Sequence, residues 1–496
     1  MSSPRAATSL FRVGHNCSAT RRAQRLAVLI DAADYFEAFR RAALTAEREI
    51  LILAWDFDSR TPLTFEEDGS TPSKVGDFLN TLVRRRRQLQ VRVLDWDYPM
   101  IFAHDREFPP LYGLGWKPHR RVHLHYDGTH PLAGSQHQKI VLIDGRIAFL
   151  GGLDLTSKRW DTPEHRPDDP HRVSGKAPYP PFHDVMVALD GDVVDVLADI
   201  ARRRWAEATG ERLPPVRAQT DPWPDGLEPD MRGVRVGVAC TAPAGEDGRE
   251  VREVERLYLD MIRAARKYIY IENQYFTSRS VGEALAARLQ EPDGPEIVVV
   301  TRLLSHGWLE EHTMHVLRTR LIRELRATDR FGRFEIYYPH REGLAEGTCI
   351  DVHSKLMVAD DQWLRIGSAN VSNRSMGLDS ECDVVVEARH DAGVSDAIRR
   401  CRDRLLGEHL AVSQSEVAAS AARTGSLHRA IRALRSDQRT LQPLPEVKEY
   451  SDVLVDSVAL ADPERPVSLE TLVEQFAPGA EAPEVRRAAL SWRRAL

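Results

Sequence analysis

Two histidines, two lysines and two aspartates recur in one pattern: His137, Lys139 and Asp144, then His353, Lys355 and Asp360. Both copies have the form His-x-Lys-x4-Asp, and each reaches two small residues seven positions after its Asp, Gly151-Gly152 and Gly367-Ser368. Corresponding positions lie 216 residues apart throughout. A single His-x-Lys carries little information, but two copies in register describe one site assembled from two half-sites. Only eight of the 68 basic residues are Lys. Lys at both motif positions of so Arg-rich a chain points to a need for a compact ammonium rather than a planar guanidinium.

Two imidazoles and two ammonium groups converging on one point suit a phosphodiester. One neutral His can attack phosphorus, because imidazole is among the side chains that form covalent intermediates. The other, protonated, can deliver a proton to the departing alcohol oxygen and later take one from water. Two Lys neutralise charge on the non-bridging oxygens. Such a site needs neither metal nor cofactor. One imidazole must be neutral while the other is protonated, so their surroundings are expected to push the two pKa values apart. Each motif runs into a short apolar segment, 140–143 and 356–358, that ends in Asp144-Gly145 or Asp360-Asp361. Asp-Gly between apolar runs signals a hairpin, and Asp suits a turn through its own backbone bonds. Asp144 and Asp360 are therefore expected to be structural. Residues i and i+2 of a strand share a face, so His137 should point with Lys139 and His353 with Lys355.

The elements that position these residues are also duplicated. Residues 46–57 parallel residues 265–276 at an offset of 219, in each case an amphipathic helix (about 32–47 and 249–266) feeding an apolar strand with a polar end. Each half closes on a strand (about 184–189 and 383–387) and a charged helix (about 193–208 and 394–406). A duplicated α/β unit accounts for this. The expected organisation is a first repeat over 1–210, a Pro-rich linker over 211–232, a second repeat over 233–415 and an extension over 416–496. Pro214, Pro215, Pro222, Pro224 and Pro229 mark the linker. Each repeat should be a mixed sheet flanked by helices, with the site at the interface of the two pseudo-symmetric domains. The irregular stretch 157–182 begins just beyond Gly152 and suits an entrance or lid. Trp55, Asp56, Glu272 and Gln274 end the paired strands and suit a site wall. The extension should open with a helix over 417–435. It closes on a basic amphipathic segment whose Val485, Ala489, Trp492 and Leu496 fit a bilayer or a protein core equally well.

Composition narrows the setting. A net charge of −6 supplies no global positive field for nucleic acid or anionic lipid. Five Cys, odd in number and without C-x-x-C, argue against both a disulfide framework and a structural zinc site and for a reducing compartment. The first residues lack the apolar core of a secretory signal, and no apolar run reaches a spanning length of about 18 residues. The expected location is cytoplasmic, with peripheral contact to a membrane. His123 and His125 alternate onto one strand face, but no carboxylate or Cys pattern completes a ligand set, so a polar strand is the preferred reading. Arg84, Arg85, Arg86 and Arg87 end a helix, where cations favour its dipole and solvent.

The paired motif resembles that of the phospholipase D superfamily, whose hallmark is the duplicated HKD sequence. The resemblance extends to the eukaryotic-type branch through residues 269–276 (IYIENQYF), 181–185 (PFHDV) and 366–381 (IGSANVSNRSMGLDSE), and covers about 30–410. It implies a phosphohistidine intermediate, with His137 as nucleophile and His353 as acid and base. It also implies that Asn370 helps bind phosphate, with Gly152, Ser368 and Gln274 lining the substrate, and that Asp184 and Glu381 orient the two His. Asp383 is the alternative second-half partner. The first copy has Asp154 where the second has Asn370, a departure that makes phosphate binding asymmetric. The lipid-targeting modules of that branch have no counterpart in this sequence. The implied activity is hydrolysis of a phospholipid headgroup ester to phosphatidate and an alcohol at a membrane surface, with water or a small alcohol as acceptor. The alternatives are a phosphatidyltransferase of the cardiolipin-synthase kind and a nuclease or other phosphodiesterase on the same half-sites. The acidic balance argues against nucleic acid.

Overall fold

Near-continuous apolar runs such as Glu49–Ala54, Tyr268–Asn273 and Glu381–Glu387 are buried along their whole length, as strands covered on both faces must be. The computed structural model describes residues 9–65, 71–97, 116–131, 133–244, 249–304, 308–389, 391–445 and 462–465. The amphipathic segment carrying Val485, Ala489, Trp492 and Leu496 lies outside the described residues.

The two repeats build mirror-ordered half-sheets. From the centre outward the first runs Ala19–Ile30, Val185–Asp190, Ile147–Gly151, Ile140–Ile143, Glu49–Ala54, Gln90–Trp96 and Val122–Asp127. The second runs Met231–Ala242, Glu381–Glu387, Trp363–Gly367, Lys355–Ala359, Tyr268–Asn273, Glu296–Val300 and Phe334–Arg341, with Arg439–Pro443 added at its edge. In both, the inner strands pair antiparallel and the outer three parallel. The half-sheets are not separate. Ala19–Ile30 and Met231–Ala242 pair antiparallel at the centre and join them into one mixed sheet. Residues 211–230, between the repeats, contain neither helix nor strand.

One core runs along a single face of both halves, where Trp205, Leu197, Leu405 and Leu406 of helices Val193–Thr209 and Ala392–Leu410 meet strand residues of each. The opposite face of the first half packs against helices Asp31–Thr45 and Val75–Arg85. That of the second packs against Glu253–Ala264, Arg279–Leu289 and Trp308–Thr328. The helix expected over 417–435 is two helices, Gln414–Thr424 and Leu427–Leu434. Gly425, at φ 63°, closes the first in the left-handed region and Ser426 caps the second, which ends continuous helical geometry there.

The motif hairpins close at Ile143–Ile147 and Ala359–Trp363. Asp144 and Gly145 have φ of 56° and 61°, and Asp360 and Asp361 have 55° and 56°. The Asp144 carboxylate accepts the backbone N–H groups of Glu47, Arg48 and Glu49 at 2.6, 2.7 and 2.8 Å. Asp360 accepts those of Arg266, Lys267 and Tyr268 in the same way. Each motif Asp thus ties its hairpin to the helix-to-strand turn of its own repeat. Asp144→Ala removes the acceptor from three N–H groups and puts a side chain that disfavours it into left-handed backbone. The expected loss is about 2 kcal/mol, read as a lower urea midpoint with an unchanged slope. Asp144→Asn should lose less, and activity per folded molecule should be preserved in both.

Candidate active site

The histidines sit just before their motif strands, on segments that cross to the other repeat. His137 N donates to the Ser380 carbonyl at 3.1 Å and Ser380 N to that of Ser135 at 3.0 Å, docking 135–137 on the start of strand Glu381–Glu387. In the other direction His353 N donates to the His183 carbonyl at 2.8 Å, and Asp351–Val352 pairs in parallel with Phe182–His183. Each histidine therefore meets the carboxylate of the opposite half. His137 Nδ1 lies 2.9 Å from Glu381 Oε2, and His353 Nδ1 lies 2.7 Å from Asp184 Oδ2. Asp184 and Glu381, which stand at matching places after the two motifs, are thus paired crosswise with the histidines.

Sheet register identifies the equivalent carboxylates. Gly151 opposes Met186 and Gly367 opposes Asp383, so two residues earlier Asp184 corresponds to Glu381. Asp383 faces elsewhere: it forms a buried ion pair with Arg365, whose guanidinium lies over the Tyr258 ring at 4.1 Å. The alternative second-half partner is thereby excluded by register.

The lysines differ. Lys139 Nζ pairs with Asp154 Oδ2 at 3.2 Å and stands 5.9 Å over the Trp55 ring. Lys355 Nζ donates to Gln274 Oε1 at 3.0 Å, lies 3.1 Å from His353 Nδ1 and bonds the His353 carbonyl. The asymmetry between Asp154 and Asn370 is therefore one of lysine pairing. Both lysines are buried, whereas the two imidazoles keep 12% and 11% exposure and present the reachable edge of the site. All four act on one another across the halves: Lys355 on His137, and Lys139 on His353.

Burial and then the ammonium groups lower both His137 and His353 well below the ordinary imidazole value. Both imidazoles move in the same direction, with Arg159 and Arg302 acting on His353, and Asp379 and Asp154 acting against the shift on His137. Burial raises the carboxyls instead, Asp184 to about 6, and Glu381, next to Asp379, to about 8. Burial also lowers Lys355 to about 7. Concentrated positive charge in a buried site is what a phosphodiester anion would relieve.

The remaining candidates divide. Gly152 leaves no room for a side chain: a Cβ there would stand 2.1 Å from Asp184 Oδ1. Ser368 is fully buried and donates its hydroxyl to Glu381. Both stand behind the carboxylates, which corrects the expectation that they line the substrate. The Gln274 amide oxygen is taken by Lys355. Asn370 is 5% exposed, and its Oδ1 has no hydrogen-bond partner among the described residues. Trp55 lies edge-on to His137 with ring centroids 6.4 Å apart, and Asp56 accepts from Thr156. Glu272 does not form a wall; it is buried between His183, His409, Ser354 and Tyr270. His123 meets Gln90 and His125 the Trp205 edge. Arg84, Arg85 and Arg87 are exposed. The stretch 157–182 is irregular apart from a two-residue hairpin, and brings Arg159 over the Phe182 ring, itself 5.2 Å from that of His353.

Sequence reasoning missed three supports. Asp379 holds the crossing segment through Ser135 N and Oγ and is itself paired with Arg374. Asp154 pairs Lys139. The buried His183, His165, Glu408 and His409 stand behind His353. Asp154 follows the short run Gly151-Gly152-Leu153, whereas His165 lies in a polar stretch with no periodic pattern to mark it.

Among known proteins, the family described as "Cardiolipin synthase, PLD-like domain" matches residues 258–401. Phospholipase D alpha 1 of Carica papaya is 25% identical over 368 residues, which cover 51% of this chain and 45% of that protein. Phospholipase D A of Dictyostelium discoideum is 24% identical over 435 residues, covering 73% of this chain and 33% of that one. The chain thus spans less than half the length of these curated relatives. The crystal structure of a phosphatidylserine synthase from Haemophilus influenzae aligns with a TM-score of 0.54 at 11% identity, covering 82% of this chain and 95% of that one, a likeness of fold. The family match over 258–401 and these sequence relatives together support membership of the phospholipase D superfamily.

Proposed function

We propose that this protein is a phospholipase D, hydrolysing the headgroup phosphodiester of a phospholipid to phosphatidate and an alcohol, with transfer to small alcohols. The observation that carries this reading is the pair of imidazoles, each on a carboxylate from the other half and flanked by two buried ammonium groups. With Nδ1–H donated to Glu381, His137 presents the Nε2 lone pair to phosphorus. As the N–P bond forms, the bond from phosphorus to the headgroup oxygen breaks, and His353 gives that oxygen its proton. Water or an alcohol then attacks phosphorus, yields its proton to His353 and releases His137. Lys139, Lys355 and the Nδ2 hydrogens of Asn370 donate to the non-bridging oxygens. The phosphodiester anion offsets the like charges that depress both imidazoles, and so favours protonation of His353 in the complex. No helix among the described residues is long and apolar enough to cross a membrane, and in this reading the lipid is met at the bilayer surface.

A covalent intermediate that accepts water should also accept a small alcohol. Phosphatidylcholine with ethanol should yield phosphatidylethanol beside phosphatidate. Diacylglycerol and phosphocholine as the only products would mean that the other ester bond is cut, and would overturn the reading. The family description matched by 258–401 favours a second acceptor class, a lipid alcohol. Cardiolipin formed from phosphatidylglycerol in preference to phosphatidate would assign the chain to phosphatidyl transfer instead.

A further inference from the structure

Directly behind His353 lies a cluster that the phosphoryl chemistry does not use. Asp31, His165 and His183 are fully buried and the Glu408 side chain is 4% exposed. They come from the start of helix Asp31–Thr45, the irregular 157–182 stretch, the short strand Phe182–His183 and helix Ala392–Leu410 of the second half. One donor atom from each lies within 4.8 Å of all the others. His183 Nδ1 is 2.7 Å from Glu408 Oε1 and 3.2 Å from Asp31 Oδ1, while His165 Nε2 is 3.1 Å from Glu408 Oε1 and 3.7 Å from Asp31 Oδ2. Around a tetrahedral ion with bonds of about 2.0–2.1 Å, ligand atoms stand about 3.3 Å apart. The separations bracket that spacing, with the two Asp31 distances taken to its two different oxygens.

Two further observations point to a ligand rather than to a packed polar core. The far ring nitrogen of each imidazole is held by a carboxylate outside the set: His165 Nδ1 by Asp161 at 2.9 Å, and His183 Nε2 by Glu272 at 2.9 Å. Carboxylate support on the opposite nitrogen is how metal-bound histidines are oriented. Those outer carboxylates have partners of their own, Arg172 on Asp161, and His409 and Ser354 on Glu272. The inner atoms are less well satisfied. Among the described residues Asp31 Oδ2 and His183 Nδ1 meet no partner in hydrogen-bond geometry, although His165 Nε2 lies 3.7 Å from the oxygen and Glu408 Oε1 and Asp31 Oδ1 lie 2.7 and 3.2 Å from the nitrogen. Asp31 and Glu408 bring two negative charges to this point, which one divalent cation would cancel.

We propose that Asp31, His165, His183 and Glu408 form a structural site for a divalent first-row metal ion, with zinc the best match to two imidazoles and two carboxylates. The ion ties the 157–182 stretch and the second-half helix to strand Phe182–His183, next to Asp184. It stands behind the reacting phosphate, so the mechanism above does not depend on it.

The test is metal content, which needs no activity. The full chain, without a polyhistidine tag and purified without chelator, should carry about one equivalent of metal by mass spectrometry. His165→Asn and Glu408→Gln should each carry less than about a tenth of an equivalent, while His123→Asn, on the distant strand, should keep the full amount. Dipicolinate should lower the Tm of the wild type and leave that of the two site variants unchanged. Metal-free wild type whose Tm does not rise with added Zn2+, Mn2+ or Fe2+ would overturn the proposal, leaving two imidazolium ions to pair the carboxylates. Metal retained by both site variants would overturn it equally. If the variants fail to fold, X-ray absorption of the cobalt-reconstituted wild type decides: two imidazole nitrogens and two carboxylate oxygens support the site, and any other ligand set overturns it.

Discussion

His137→Ala is expected to abolish the phosphoenzyme and to lower kcat/KM on the order of 10⁴-fold. Glu381, held by Ser368, and Lys139, held by Asp154, are not free to take over the attack. His353→Ala should lower the rate on a comparable scale through a different step. It leaves the nucleophile in place but removes the proton donor for the leaving alcohol and the base for water, so label should enter slowly and leave slowly. A substrate with an activated leaving group, such as a p-nitrophenyl ester, needs little proton donation. It should restore labelling in His353→Ala and not in His137→Ala. Trapping with phosphorus-labelled diester and peptide mapping reads both outcomes, and label found at His353 alone would reverse the two roles while keeping the site.

The second large effect follows from the crossed pairing. Asp184→Asn should act on His353, and Glu381→Gln on His137, each lowering kcat by about 10²–10⁴-fold with a smaller change in KM. Loss of the Asp184 carboxylate withdraws support from imidazolium, so His353 gives up its proton at lower pH and the alkaline limb of the rate profile moves down. Loss of the Glu381 carboxylate lowers His137 in the same way, and there the acid limb moves down, because that residue must be neutral to attack. Double-mutant cycles should find strong coupling for Asp184 with His353 and for Glu381 with His137, and little for the pairs within one repeat. Asp383→Asn is the control. It leaves Arg365 buried without its counter-charge, and should cost about 3–5 kcal/mol of stability while both limbs stay where they are. An Asp383→Asn variant that shifts a limb, beside a silent Glu381→Gln, would restore the register set aside here.

Much of the architecture was written in local pattern. The 219-residue offset between 46–57 and 265–276 placed two equivalent strands, Glu49–Ala54 and Tyr268–Asn273, in the matched positions they occupy. Asp-Gly chemistry located the first hairpin, and turn propensity made Asp144 structural rather than reactive. These are short-range properties, set by apolar periodicity and by which residues tolerate φ above zero. Helix ends were less legible: Gly425 breaks a pattern that apolar periodicity alone reads as continuous.

The amino-acid sequence by itself determined that two His-x-Lys half-sites exist, that they stand at the ends of duplicated strands, and that their side chains suit a phosphodiester. Only the tertiary structure decided who partners whom. His137 and Glu381 are 244 residues apart and His353 and Asp184 are 169 apart, and their contact depends on how each crossing segment docks on the other repeat. Glu381 rather than Asp383 reaches the site because register fixes which residue stands opposite Gly367, and a shifted register would present a different carboxylate. Lys139 is paired with Asp154 while Lys355 is not paired in this way, and both imidazoles are depressed, because burial depends on the whole fold and not on neighbours in sequence. The four-residue cluster behind His353 has the same origin: its members come from four separate elements of the two halves, and only the joined sheet brings them within reach.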